Sequence, residues 1–257
     1  MESNILNKEF SQNCGDSLRV LEKTNLKPNK STDYLYLIEF LNYPCKILAR
    51  KGDIIRGIVR NPMKPSFYNI GYIGIGNYGA SSNLKLYHIW DNILKRCYNE
   101  KNVQYKNYGE KGVVVCKEWH NFHNFAKWYI ENESWNKETN YKLSIDKDIL
   151  CYISNINKIY SPETCILIPE ELNEFLMGDK LSTGVLKVSN GKFISGLQTN
   201  DVRIHFGTFD TFEEAKLIYS KEKYKCWISL LEKYNLPIEL KDILLKYDFY
   251  KTKLNKN

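Results

Sequence analysis

The 257-residue chain has no two of its seven cysteines at the C-x-x-C spacing of a zinc ribbon or finger. Cys14, Cys45, Cys97, Cys116, Cys151, Cys165 and Cys226 stand singly, a pattern that points to reduced thiols, several of them buried, and away from a thiolate-held metal. No apolar run approaches the roughly 18 residues that a membrane helix needs, so no membrane partner is expected. The opening stretch MESNILNKEFSQN lacks a basic segment followed by an apolar one and does not read as a secretory leader. A cytoplasmic protein is the expectation. What is present suits a folded core: 43% of residues are hydrophobic and 14% aromatic, which excludes global disorder.

The charge is unevenly spread. The chain carries 37 Lys and Arg against 30 Asp and Glu, a net of +7. Residues 180–257 hold 14 basic against 9 acidic side chains, and residues 1–179 hold 23 against 21. A basic C-terminal segment points toward a polyanionic partner.

Punctuation by Gly, Pro and Asn divides the chain. Residues 1–30 are polar and weakly periodic and read as an N-terminal tail or arm. Tyr34 to Phe40 and Cys45 to Ala49 read as two strands broken by Asn42-Tyr43-Pro44, within a small β module over 31–80. From Asn83 the period changes to three and four, through Leu86, Trp90, Ile93 and Cys97, which predicts a helix ending near Asn99. A short strand over Val113 to Val115 precedes a second, aromatic helix through Trp119, Phe122, Phe125 and Tyr129. Leu143 to Leu150 alternates as a strand that includes Asp146, Lys147 and Asp148. A loop from Ser154 to Glu163 follows, then a strand at Cys165 to Ile168 and a helix opened by Pro169 with acids in its first turn. Gly184 to Gly207 reads as three strands, with Asn190-Gly191 as one turn and Thr199-Asn200-Asp201 as the other. Thr211 with Glu214 three residues on is the capping box of a final helix.

Two patterns suggest chemistry. Gly74-Ile75-Gly76-Asn77-Tyr78-Gly79 matches G-x-G-x-x-G, but no helix follows at once and no βαβ frame surrounds it, so a dinucleotide site is not expected. The strand–loop–strand–helix order over 143–178 sets Asp146 on a strand and Asn173 on the helix after the second strand. Oxygen donors on two elements facing one cleft suit Mg²⁺ or Mn²⁺, which can stabilise charge on a scissile phosphate. On spacing alone, an acid pair on a strand is usually only a solvated edge.

Tyr87-x-x-Trp90, Arg96-Cys97-Tyr98-Asn99, Tyr108-Gly109-x-x-Gly112-Val113, Glu118-Trp119-x-x-Phe122, Asp146-Lys147-Asp148-Ile149-Leu150 and Asn157-Lys158-x-Tyr160-Ser161-Pro162-Glu163-Thr164-Cys165 form a set. Over about residues 83–178 that set resembles the phage-borne HNH, or His-Me finger, homing-endonuclease-like proteins. Gly184-Val185, Phe206-Gly207-Thr208-Phe209 and Thr211-Phe212-Glu213-Glu214-Ala215 resemble the ethylene-response-factor (APETALA) type DNA-binding domain. The fold these resemblances imply is multi-domain α+β: the tail (1–30), the β module (31–80), a ββα-metal core with flanking helices (81–178), and a three-stranded antiparallel sheet plus helix (179–257).

The first resemblance implies that Asp146 and Asn173 hold Mg²⁺ or Mn²⁺ for hydrolysis of a DNA phosphodiester. Lys147 stands where an active member of the family has its general-base histidine. A lysine is protonated at neutral pH and cannot take a proton from water. Three routes stay open: Asp148 as base, His120 or His123 reaching in from the preceding helix, or no catalysis at all. The second resemblance implies that the three-stranded sheet enters the major groove of double-stranded DNA. The outward candidates are Lys187, Lys192, Gln198, Arg203 and His205, with Arg203 suited to a bidentate guanine contact and the lysines to phosphates. The leading expectation is therefore a metal-dependent DNA endonuclease acting inside a bacterial host. The second is a DNA-binding regulatory protein on a degenerate nuclease scaffold, and the third is a protein partner met through the β module.

Overall fold

The computed structural model describes residues 4–28, 33–181, 184–199, 202–247 and 249. The protein is mixed α+β with several small sheets. It divides into two compact units, residues 1–111 with 115–127 and residues 112–114 with 128–257.

The first unit opens with an antiparallel meander, β1 (Glu9–Ser11), β2 (Ser17–Lys23), β3 (Leu35–Phe40) and β4 (Lys46–Arg50), paired in chain order. Period-two alternation buries Tyr36, Ile38 and Phe40 on one side of β3, against Ala49 of β4 and Leu18 and Val20 of β2. The single-turn helix α1 (Lys51–Ile55) adds Ile54, and Val59 completes this core. The sequence expectation of a tail over 1–30 is thereby corrected: residues 9–23 supply two strands, and Leu18 and Val20 are wholly buried. The signal is weak because β1 has only three residues and a bulge between Val20 and Glu22 interrupts the alternation. Residues 29–32 lie outside the described set.

Helix α2 (Leu84–Tyr98) buries Leu86, Trp90, Ile93, Leu94 and Cys97, the stripe its spacing predicts. Trp90 donates its indole N–H to the Trp119 carbonyl (2.7 Å) and meets the rings of Phe67 and Phe122 edge-on. After β5 (Val114–Val115), a 3-10 turn over Lys117–His120 leads into α3 (Phe122–Glu133). The aromatic helix expected from Trp119 onward is thus two pieces, because the Asn121 side chain accepts the His123 N–H (2.9 Å) and starts the α-helix afresh. The division between the units falls within β5 and α3.

In the second unit, β6 (Leu143–Asp146) leads through α4 (Asp148–Ser154) and β7 (Ile159–Tyr160) to β8 (Ile166–Pro169) and then directly into α5 (Glu170–Leu181). β6 and β8 are antiparallel, and α5 packs on both. Two sequence readings are corrected here. The first strand stops at Asp146, so Lys147 and Asp148 are not on it and α4 follows instead, and the loop expected over Ser154 to Glu163 holds the short strand β7. The cause is the Asp146 carboxylate, whose Oδ1 accepts the backbone N–H groups of Asp148 and Ile149 (both 2.8 Å) and so turns the chain into a helix.

The chain continues as β9 (Val185–Lys187), β10 (Phe193–Thr199) and β11 (Val202–Phe209), an antiparallel sheet with β10 in the middle. Gly191 sits at φ +85° in the turn between β9 and β10, as Asn190-Gly191 predicts. The expected second turn falls at Asn200 and Asp201, outside the described residues. The Thr211 hydroxyl accepts the Glu214 N–H (3.2 Å) at the start of α6 (Phe212–Glu232), and α7 (Ile238–Leu245) follows. α6 packs on all three strands and on α5. One core holds these parts together: Ile149, Ile168 and Leu172 join Trp227, Leu231 and Leu244. Trp227 stacks on Phe175 (5.7 Å, 22°) and donates to the Leu244 carbonyl (3.1 Å).

Candidate functional site

The strand register places the two expected metal donors. Asp146 closes β6 opposite Ile166, whereas α5 leaves β8 beside Pro169, which pairs with Leu143 at the other end. Three strand steps amount to about 10 Å. Asn173 follows in the first turn of α5, half-buried, about 5 Å of helix from its start. Asp146 is buried and its carboxylate is engaged as the cap of α4.

The residues after Asp146 form an ion cluster. Lys147, only 5% exposed, donates to Asp148 (2.8 Å), lies over the Tyr160 ring (5.1 Å) and has the same carboxylate oxygen as Lys158 (2.9 Å) for a partner. A carboxylate and a ring face are among the partners of this side chain, the surroundings that favour an ammonium group. Asp148, expected as an alternative base, is held between two ammonium groups. Lys158 was missed as a member of this cluster; its position before Tyr160 in the same connection is the signal that could have found it. The Tyr160 to Cys165 stretch is a closed turn, in which the Thr164 hydroxyl donates to the Ile159 carbonyl (2.6 Å) and accepts the Ser161 N–H (3.1 Å).

The two histidines belong to the first unit and are engaged there. His120 Nε2 lies 3.1 Å from the Val115 carbonyl and the ring stands edge-on to Tyr98; burial pushes its pKa below the usual histidine value. His123 Nδ1 accepts the Tyr78 N–H (2.9 Å), which fixes a neutral ring with its proton on Nε2, and burial again lowers its pKa. The glycine pattern at 74–79 finds its meaning here. Gly74 has φ +83° and a Cβ there would strike the Asn121 amide; a Cβ on Gly76 would strike the His123 ring. The glycines let this loop lie against the start of α3, a packing role.

On the C-terminal sheet, register sorts the five expected DNA contacts. Gln198 pairs with Arg203 and Gly196 with His205, so Gln198, Arg203 and His205 share one exposed face. Ser195 and Leu197 point the other way and are buried toward α6. Lys192, also outward, is 2.9 Å from Asp210. Lys187 is the exception. It pairs with Phe193, on the face of Ser195 and Leu197, and its Nζ lies 5.7 Å from the Phe193 ring centre. Leu186, exposed and paired with Ile194, occupies the outward position instead. Alternation counted from β11 cannot show this, because the bulge at Ser195/Gly196 shifts the parity between strands.

No protein-family model matches the chain, and no match is found among curated proteins or solved structures. Among the described residues no three His, Cys, Asp or Glu side chains are grouped so as to hold a metal, and no helix is long and apolar enough to cross a membrane. Of the two donors expected for Mg²⁺, Asp146 uses Oδ1 to accept the backbone N–H groups of Asp148 and Ile149, and Asn173 stands half-buried in the first turn of α5.

Proposed function

We propose that the protein binds double-stranded DNA through the outward face of β9–β10–β11 and keeps its β6–β8–α5 core as a scaffold without cleaving. The observation that carries this reading is the row of Gln198, Arg203 and His205 on one exposed sheet face backed by α6. A β-sheet edge or ribbon fits the major groove, where Arg203 can take guanine O6 and N7 and Gln198 can take adenine N6 and N7. Lys192 at the hairpin suits a phosphate, exchanging Asp210 for a stronger anion. Segment 180–257 supplies a net charge of +5 for the phosphate term of binding.

The reading without cleavage rests on Lys147, Asp148 and Asp146 being committed to one another and to the α4 backbone. A second reading, metal-dependent nicking or cutting at a preferred site, has one observation in its favour: the antiparallel β6–β8 pair runs straight into α5, with Asp146 at the strand end. The test incubates the full chain with supercoiled plasmid and Mg²⁺ or Mn²⁺, beside Asp146→Ala and Asn173→Ala variants. Retarded, uncut plasmid with all three proteins supports the binding reading. Metal-dependent nicking abolished in both variants replaces it with the nuclease.

A further inference from the structure

Segment 46–64 holds six basic residues, Lys46, Arg50, Lys51, Arg56, Arg60 and Lys64, against a single acid, Asp53. Its net of +5 equals that of the whole C-terminal segment in about a quarter of the length. The stretch that separates them, 65–179, carries 12 basic against 14 acidic residues. The charge of the chain is therefore concentrated in two places, one in each unit.

The fold lays the first concentration along the β4 edge of the meander: Lys46 stands opposite Glu39 at one end of the strand and Arg50 opposite Leu35 at the other. Lys51 opens α1 and Arg56 caps it. A shallow cavity of about 300 Å³, lined among others by Leu35, Leu48, Arg50, Asp53, Ile58 and Val59, sets β4 beside the returning stretch, and Asn61, next to Arg60, donates to the Asn42 and Tyr43 carbonyls before the start of β4. Pro28 also lines it, and its neighbour Lys27 lies 4.6 Å over the Tyr34 ring. The acids nearby are already engaged. Asp53 pairs with Arg56 (2.5 Å), Glu39 with Lys46 (4.0 Å) and Asp16 with Lys64 (3.1 Å). Among the described residues Arg50, Lys51 and Arg60 make no ion pair, and Arg50 and Arg60 are exposed.

We infer that this edge of the meander is a second DNA-binding surface, which grips the sugar–phosphate backbone of a duplex without reading bases. Three of the six cations are arginines, whose planar forks match phosphate oxygens. The exposed aliphatic side chains Leu48 and Ile58 line the cavity between the cations at the two ends of β4. The surface differs from the C-terminal sheet in having charge without a row of base-reading side chains.

The test measures the affinity of the full chain for a mixed-sequence duplex of about 30 base pairs across a salt series. It compares wild type, the triple variant Arg50→Gln/Lys51→Gln/Arg60→Gln, and the sheet variant Arg203→Gln. Each phosphate contact adds about 0.9 to the slope of log affinity against log salt. The triple variant is expected to lose about two to three from that slope and at least tenfold in affinity at low salt, with its thermal transition unmoved. Arg60→Gln alone, at an exposed position, is expected to lose about one and stands in should the triple variant fold poorly. A slope and affinity equal to wild type overturn the inference while leaving the sheet reading intact if Arg203→Gln weakens binding. Loss in the triple variant with none in Arg203→Gln supports the inference and sinks the sheet reading. Phosphatidylserine vesicles form the last arm: strip-dependent retention on them, with duplex binding unchanged, overturns the inference in favour of a membrane surface.

Discussion

The two basic regions carry the same net charge and are built differently. The C-terminal one is a sheet face, its side chains spaced by strand register and backed by the 21-residue helix α6 and the aromatic core around Trp227. The N-terminal one is an edge strand, a single helical turn and the stretch that follows, over a small core of Leu18, Val20, Ile38, Phe40 and Ile54. A rigid face with side chains at fixed spacing can tell one base from another, whereas a cluster of cations on a rim can only sense phosphate density. On the proposed DNA-binding reading, the sheet would supply orientation and sequence preference and the strip a salt-sensitive hold.

The hardest way to break this division is to remove the support of one side. Trp227 is wholly buried, stacked on Phe175 and bonded to the Leu244 carbonyl. Trp227→Ala is expected to destabilise the second unit by about 3–5 kcal/mol, read as a lowered midpoint in urea. If the sheet and the strip are separate contacts, this variant keeps weak, strongly salt-dependent duplex binding at a denaturant concentration where its sequence preference is gone. Loss of all binding together with preference would show that there is a single surface.

A gentler change probes the sheet alone. Arg203→Gln is expected to cost about 1–3 kcal/mol on the preferred duplex if the guanidinium pairs with guanine. On a duplex of random sequence it is expected to cost much less. Equal weakening on both duplexes would move Arg203 from base reading to phosphate holding and erase the contrast with Arg50 and Arg60.

What could be read beforehand followed local chemistry. The Asn190-Gly191 turn, the Thr211–Glu214 cap and the period-three-and-four stripe of α2 each act over a few residues, and each stands where the sequence placed it. The features that differed were hidden for separate reasons. β2 joins the sheet through a bulge that hides its alternation. Leu143 to Leu150 alternates well enough for one strand, yet the Asp146 side chain captures two amides and the chain becomes helical, a competition that period alone does not reveal. The strip at 46–64 vanished in the sum over 1–179, because the acidic residues elsewhere in that span offset it. The placement of Lys187 on the α6 side follows from its register in the β9–β10 hairpin, and the engagement of His123 from a contact with the distant Tyr78.

Asp146 separates a structural carboxylate from a metal-binding one. Aspartate and asparagine cap helices about equally, and alanine costs about 1 kcal/mol. Asp146→Asn is therefore expected to keep wild-type stability and duplex affinity, and Asp146→Ala to lose about 1 kcal/mol of stability with affinity unchanged. Added Mg²⁺ that raises the thermal midpoint of wild type but of neither variant would restore a metal role to this carboxylate.

The smallest expected effect distinguishes the units by pH. Burial lowers the pKa of His120 and His123 in the folded first unit below the ordinary value of 6.5. The unfolded chain then binds protons at a higher pH than the folded one, so stability is full above 6.5 and falls as pH drops from there toward the lower native values. The loss is expected to be confined to the first unit, where His123 accepts the Tyr78 N–H and cannot do so once Nδ1 is protonated. Amide hydrogen exchange at pH 7.5 and 5.5, corrected for the intrinsic rate, checks this. Protection in β2, β3 and α2 should drop more than in β10 and α6. His123→Asn, which removes the titrating ring, should shrink that difference. An equal drop in both units would place the acid sensitivity outside these two histidines and leave the strip and the sheet equally durable on acidification.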